Sequence, residues 1–150
     1  MGSGALTMAL AQSAFPKGKV ITFEKNKKHF EILKRNLELS PFSGRVELRN
    51  EELNSQTEII SSSSIILDLP EPQVLVKWAE ESLVLGGKIL CYVPTINQVE
   101  NLITALNGWS EIEINEMMHR TWQPRLEAVR PNTNILGHTG FIVSARIFNK

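Results

Sequence analysis

Short apolar runs alternate with helix-length stretches along almost the whole chain, and this alternation constrains the fold more than any other feature. Val20-Ile21-Thr22-Phe23, Val46-Glu47-Leu48, Ile65-Ile66-Leu67 and Lys88–Val93 read as strands. Ser110–Glu116 and Phe141–Ile147 read as two more. Between them Ala5–Ser13, Lys27–Leu39, Pro72–Leu85 and Ile96–Leu106 read as helices, the second with Phe30, Leu33 and Leu37 on one face. Gly86-Gly87 is expected to close the third. Strand–helix alternation of this kind predicts an α/β fold built on a doubly wound sheet. No repeat or linker divides it, so one domain over residues 1–150 is expected. Met117–His138 is irregular and polar, and reads as a long functional loop.

In such sheets ligands sit at the carboxyl ends of the strands. Glu24, Glu52, Asp68 and Tyr92-Val93-Pro94 fall at those ends, which is the strongest sequence argument for a site. Gly2-Ser3-Gly4 precedes the first helix, where glycines let the backbone approach a ligand and free N–H groups point outward. Glu24 follows about 20 residues later, where an acid can accept hydrogen bonds from ribose hydroxyls. This pairing fits NAD and S-adenosylmethionine about equally, although Leu6-Thr7-Met8 lacks the third glycine of a dinucleotide fingerprint. His29 lies near the same end of the sheet, and Glu51-Glu52 could meet an adenine amino group.

Asp68-Leu69-Pro70-Glu71-Pro72 is more specific. A carboxylate ends an apolar strand and two prolines stiffen the exit, which suits a flat base held against a fixed edge. Tyr92-Val93-Pro94 with Gln98 offers an aromatic, a rigid turn and an amide for base recognition. Arg120, Trp122, Arg125 and Arg130 on the long loop combine cations with an aromatic, a usual nucleic-acid-binding mixture, though Trp122 could also be core. His138 lacks an obvious Asp or Ser partner, so a hydrolytic triad is not expected.

Composition narrows the class further. The 150 residues are 42% apolar with zero formal net charge, as in an ordinary globular domain. The charge is unevenly placed. Residues 1–50 carry nine Lys/Arg against four Asp/Glu, residues 51–113 two against ten, and residues 114–150 five against two. The two basic segments could touch a polyanion, or simply belong to a mixed surface. No run reaches the ~20 apolar residues of a membrane span, and no basic residue precedes the apolar start, so no secretory signal is expected. The single cysteine, Cys91, fits a reducing compartment, the cytoplasm, and metal-ligand spacing is absent.

Taken in order, Gly2-Ser3-Gly4-Ala5-Leu6-Thr7, Glu24, Asp68-Leu69-Pro70-Glu71-Pro72, Tyr92-Val93-Pro94 with Gln98, Glu116 with Arg120 and Trp122, Arg130-Pro131 and Gly137-His138-Thr139-Gly140-Phe141 resemble the catalytic subunit of tRNA (adenine-N(1))-methyltransferases. The resemblance implies a Rossmann-like class I S-adenosylmethionine-dependent methyltransferase fold. It implies that Gly2, Ser3, Gly4, Ala5 and Leu6 cradle the cofactor's methionine part, with Glu24 on the ribose, His29 nearby, and Glu51 and Glu52 on the adenine. Asp68 would lie between cofactor and target base and touch both. The family usually has Asp where Glu52 stands. Members are commonly tetramers, as homomers or with a non-catalytic partner subunit, and act on the tRNA T-loop. The family also places a strand and a small β domain before Gly2, so a missing first strand, and poor folding of these residues alone, are expected.

The expected chemistry is methyl transfer to a ring nitrogen of adenine. Asp68 would stabilise the cationic ring as it forms, Tyr92 would hold the base, and Gln98, Arg120, Trp122, Arg125 and Arg130 would hold the tRNA. A non-catalytic tRNA-binding subunit, another Rossmann-type methyltransferase and an NAD enzyme remain as alternatives.

Overall fold

The computed structural model describes residues 3–149, which fall into two compact units divided between Asn54 and Ser55. Gly2 lies outside the described residues.

In the first unit α1 (Ala5–Ser13) leads to β1 (Val20–Phe23), α2 (Lys27–Glu38) and β2 (Val46–Arg49). β1 and β2 pair in parallel, Val20 opposite Val46 through Phe23 opposite Arg49. Parallel neighbours need a crossover, and α2 supplies it. Asn26 starts that helix, its side chain accepting from the Lys28 and His29 N–H groups at 2.9 and 3.3 Å. Leu33 and Leu37 are buried as their spacing predicts, and Phe30 is half-buried.

Gly4 caps α1 in the left-handed region, at φ 83°. A Cβ there would lie 2.1 Å from Leu33 Cδ1, and Leu33 is fully buried. Gly4 therefore lets α1 start directly against α2. Gly4→Ala should cost on the order of 1–3 kcal/mol, the range for overpacking a filled core. A thermal melt of the variant protein that matches wild type would show that the two helices can part.

The second unit holds β3 (Ser62–Leu67), α3 (Val76–Ser82), β4 (Leu83–Val93), α4 (Ile96–Ala105), β5 (Ser110–Glu116), β6 (Trp122–Gln123), β7 (Arg130–Pro131) and β8 (Phe141–Arg146). Four of these strands form a mixed sheet in the order β3-β4-β8-β5. β3 and β4 run parallel, while β8 is antiparallel to both β4 and β5. Ile89, Cys91 and Val93 are buried on one face of β4, and Tyr92 is exposed on the other, the period-two pattern of a strand covered on one side. Burial pushes the Cys91 thiol up to about 12, so it behaves as an inert core side chain. β6 and β7 make a separate small hairpin within the 117–138 loop.

Two expectations change. The helix expected over Pro72–Leu85 is a 3-10 turn over Pro72–Leu75 followed by α3, which ends at Ser82. Gly86-Gly87 does not cap it. Both glycines lie inside β4, where Gly86 N–H donates to the Ile147 carbonyl at 2.6 Å and Ile147 N–H to the Gly87 carbonyl at 3.1 Å. Pairing with a segment about sixty residues away in sequence, rather than local propensity, extends this stretch. The strand expected at Ile65 also begins earlier, at Ser62, because Ser62 and Ser64 pair with Leu83 and Lys88 of β4.

Candidate active site

In the first unit the candidate residues gather where β1 and β2 end. Glu24 is buried, with 7% of its surface exposed. Its Oε1 accepts the Asn26 N–H at 2.8 Å, and Asn50 Nδ2 donates to its backbone carbonyl at 2.7 Å. His29 Nδ1 lies 4.0 Å from Glu24 Oε2. Burial pushes the Glu24 carboxyl up, but the Asn26 N–H and nearby positive charge, His29 included, outweigh it and hold the acid below its ordinary value. A buried acid kept ionised in this way can accept hydroxyl hydrogens.

The other expected cofactor residues are more open. Ser3, Ala5 and Leu6 are exposed at the start of α1, where the first N–H groups of a helix lack internal partners. Asn36 Nδ2 holds the Ser3 carbonyl at 2.9 Å. Glu52 is exposed and ion-paired to Lys25 at 2.7 Å, and Glu51 is exposed with Arg49 4.0 Å away.

In the second unit Asp68 is exposed directly after β3. Gln98, expected to bind tRNA, is used internally. It completes a capping box on α4, its Oε1 accepting from the Thr95 N–H and hydroxyl, while its Nε2 donates 2.8 Å to the Pro70 carbonyl. The turn after Asp68 is thus stapled to the N-terminus of α4. The spacing Thr95-x-x-Gln98 is the signal that could have given the cap.

Tyr92 is 39% exposed at the end of β4, and its hydroxyl donates to the Thr139 carbonyl. A Cβ on Gly140 would lie 2.6 Å from Tyr92 Cζ, so the ring rests on that glycine. His138, for which no Asp or Ser partner was evident in the sequence, lies beside them. Its Nδ1 contacts Glu116 Oε1 and its Nε2 the Pro94 carbonyl at 2.7 Å. No local signal reveals this pairing, because Glu116 and His138 meet only through the β5–β8 ladder. With both nitrogens engaged, His138 has no lone pair to serve as a hydrolytic base.

Arg120, Arg125 and Arg130 are exposed, and Trp122 is 57% exposed, which removes it from the core. Trp122 and Arg130 lie on the β6–β7 hairpin, which Asn132 closes by donating its backbone N–H 2.9 Å to the Thr121 carbonyl. Among the described residues no group of three or more His, Cys, Asp or Glu could hold a metal, and no helix is long and apolar enough to cross a membrane.

The profile of the family described as tRNA methyltransferase complex GCD14 subunit matches residues 1–130. The chain belongs to this family. It is 29% identical to the tRNA (adenine(57)-N(1)/adenine(58)-N(1))-methyltransferase TrmI of Methanocaldococcus jannaschii, over 97% of this chain and 62% of that protein. The crystal structure of the tRNA (m1A58) methyltransferase TrmI of Aquifex aeolicus superposes with a TM-score of 0.85 at 25% identity, covering 99% of this chain and 60% of that one. A SAM-dependent O-methyltransferase from Thermotoga maritima gives 0.91 at 26% identity, covering 99% and 57%. The fold is therefore the Rossmann-like α/β fold of SAM-dependent methyltransferases, and the chain spans about three fifths of the length of these relatives. The family's complex-subunit description and the TrmI names agree with the resemblance carried by the Asp68-Leu69-Pro70-Glu71-Pro72 segment, which lies within the matched residues.

Proposed function

We propose that residues 1–150 belong to the catalytic domain of an enzyme that transfers a methyl group from S-adenosylmethionine to N(1) of an adenine in the tRNA T-loop. The observation that carries this reading is Asp68, an exposed carboxylate at the carboxyl end of β3 whose exit is fixed by Pro70, Pro72 and the Gln98 amide. Membership of the GCD14 family and similarity to TrmI support it.

The residues present fit the cofactor. Glu24 is a buried, ionised acceptor suited to ribose hydroxyls, and the open start of α1 after the Gly4 turn suits the methionine carboxylate. Ser3, Ala5 and Leu6 would line that end, and His29, Glu51 and Glu52 would border the adenosine. S-adenosylmethionine supplies a methyl group on a positively charged sulfur.

The chain's own part is to take an unpaired base and hold it. N(1) of adenine has a free lone pair only when its base pair is broken, so the base must leave its stack. The adenine ring becomes cationic as N(1) is methylated, and the Asp68 carboxylate stabilises that charge. Tyr92 offers its ring to the base, its hydroxyl being held by Thr139. Gln98 keeps the Pro70 turn in place. Arg120, Arg125 and Arg130 bind phosphates, with Trp122 between them as a stacking surface. Met117, Met118, Leu126 and Leu136 are 70% or more exposed on the same loop. Their exposure supports assembly with further copies or with a non-catalytic partner subunit in a reducing cytoplasm.

Incubation of the protein with tritiated S-adenosylmethionine and bulk tRNA, followed by digestion to nucleosides, tests the reading. Label is expected in 1-methyladenosine. Label in a 2′-O-methyl nucleoside would make the protein an O-methyltransferase, and tRNA binding without label would make it a non-catalytic subunit.

A further inference from the structure

The His138 ring sits between two groups that only accept hydrogen bonds. Nδ1 meets the Glu116 carboxylate and Nε2 the Pro94 carbonyl. Both contacts hold only if both nitrogens carry a proton, because the neutral ring has a single N–H. Glu116 ends β5, Pro94 follows β4, and His138 ends the loop that starts at Met117. One imidazolium therefore ties both ends of that loop to the carboxyl end of β4, where Tyr92 holds the neighbouring Thr139 carbonyl.

We propose that His138 is a positioning residue that, doubly protonated, closes the Met117–Thr139 loop onto the end of β4, and that its deprotonation loosens the loop and weakens tRNA binding. The second half of this inference rests on the reading of that loop as tRNA-binding. Among the described residues the groups facing the ring are few. Glu116 comes from β5, the Pro94 carbonyl from beyond β4 and the Phe141 ring from β8, its centroid 4.9 Å away. The Tyr92 phenol sits one residue along. Glu116 is the charged side chain in contact with the ring. Its hydrogen bond, and then that of Pro94, raise His138 above its ordinary 6.5. A raised value means that the closure is fully present below 6.5 and is lost as pH rises through the higher value.

Three measurements, taken from below pH 6.5 upward through the His138 titration, test this. They are the NMR titration of His138, amide exchange over residues 117–139 expressed relative to the intrinsic, base-catalysed rate at each pH, and tRNA affinity. In the wild-type protein, faster exchange and a roughly three- to tenfold loss of affinity, the size of one hydrogen bond, should track the His138 titration. Glu116→Gln should move the titration and both effects down together by about one pH unit, the low end for removing an adjacent opposite charge. His138→Gln should make exchange and affinity insensitive to pH over this range. Exchange that stays constant through the wild-type His138 titration overturns the proposal without any variant. So does a Glu116→Gln protein whose histidine titration moves while exchange does not. A protein that binds no tRNA at any pH would sink the tRNA reading instead, and the exchange data would still decide the closure.

Discussion

Replacing Asp68 with asparagine should slow single-turnover methyl transfer by roughly 10²-fold or more, the usual loss on removing one preorganised electrostatic contact. The substitution keeps the shape and deletes the charge. Asp68 is exposed, and the backbone around it is held independently by β3 on one side and by the Gln98-to-Pro70 hydrogen bond on the other. The variant should therefore fold normally and bind tRNA nearly as well as wild type, with the loss confined to the chemical step. Rapid-quench assays with saturating tRNA and S-adenosylmethionine read this directly. A near-normal rate would mean that the carboxylate shapes the turn and stabilises nothing in the transition state.

Glu24→Ala should weaken S-adenosylmethionine binding by about 1.5–3 kcal/mol, the range for hydrogen bonds to a charged group. The acid is buried and is kept ionised by the Asn26 N–H and neighbouring positive charge. Truncation removes the acceptor and leaves those donors without it. Because its titration lies below 4.5, the affinity of the wild-type protein should stay level from neutral pH down to that value and fall only below it. Calorimetry on the two proteins checks both statements. Equal affinities would remove Glu24 from the cofactor site, and a decline already near pH 6 would assign the pH dependence to another group.

Much of this site was legible because its residues announce themselves locally. An acid that interrupts an apolar run, as Glu24 and Asp68 do, marks a strand end in any α/β sheet, and the two prolines after Asp68 fix the direction of exit. Gln98 shows where such reading stops. Its amide looked like a ligand group, yet both its ends are occupied by Thr95 and Pro70. Tyr92 likewise has its hydroxyl held by a carbonyl 47 residues along the chain. Trp122 could have been core, and its 57% exposure settles that it is not.

The sequence by itself determined the order and kind of elements. Hydrophobic periodicity and caps act over a few residues, so α1 at Ala5–Ser13, β5 at Ser110–Glu116 and the Leu33–Leu37 face of α2 follow from local pattern. Only the tertiary structure decided how those elements pair. Gly86 and Gly87 lie within β4 because Ile147 bonds to both, where their composition alone suggested the end of a helix. Gly4 is required because Leu33 occupies the space its side chain would need. His138 is a doubly bonded ring because antiparallel pairing of β5 with β8 carries Glu116 to it across 22 residues. Each of these rests on a contact between segments distant in sequence, and such contacts leave no periodic trace in either segment alone.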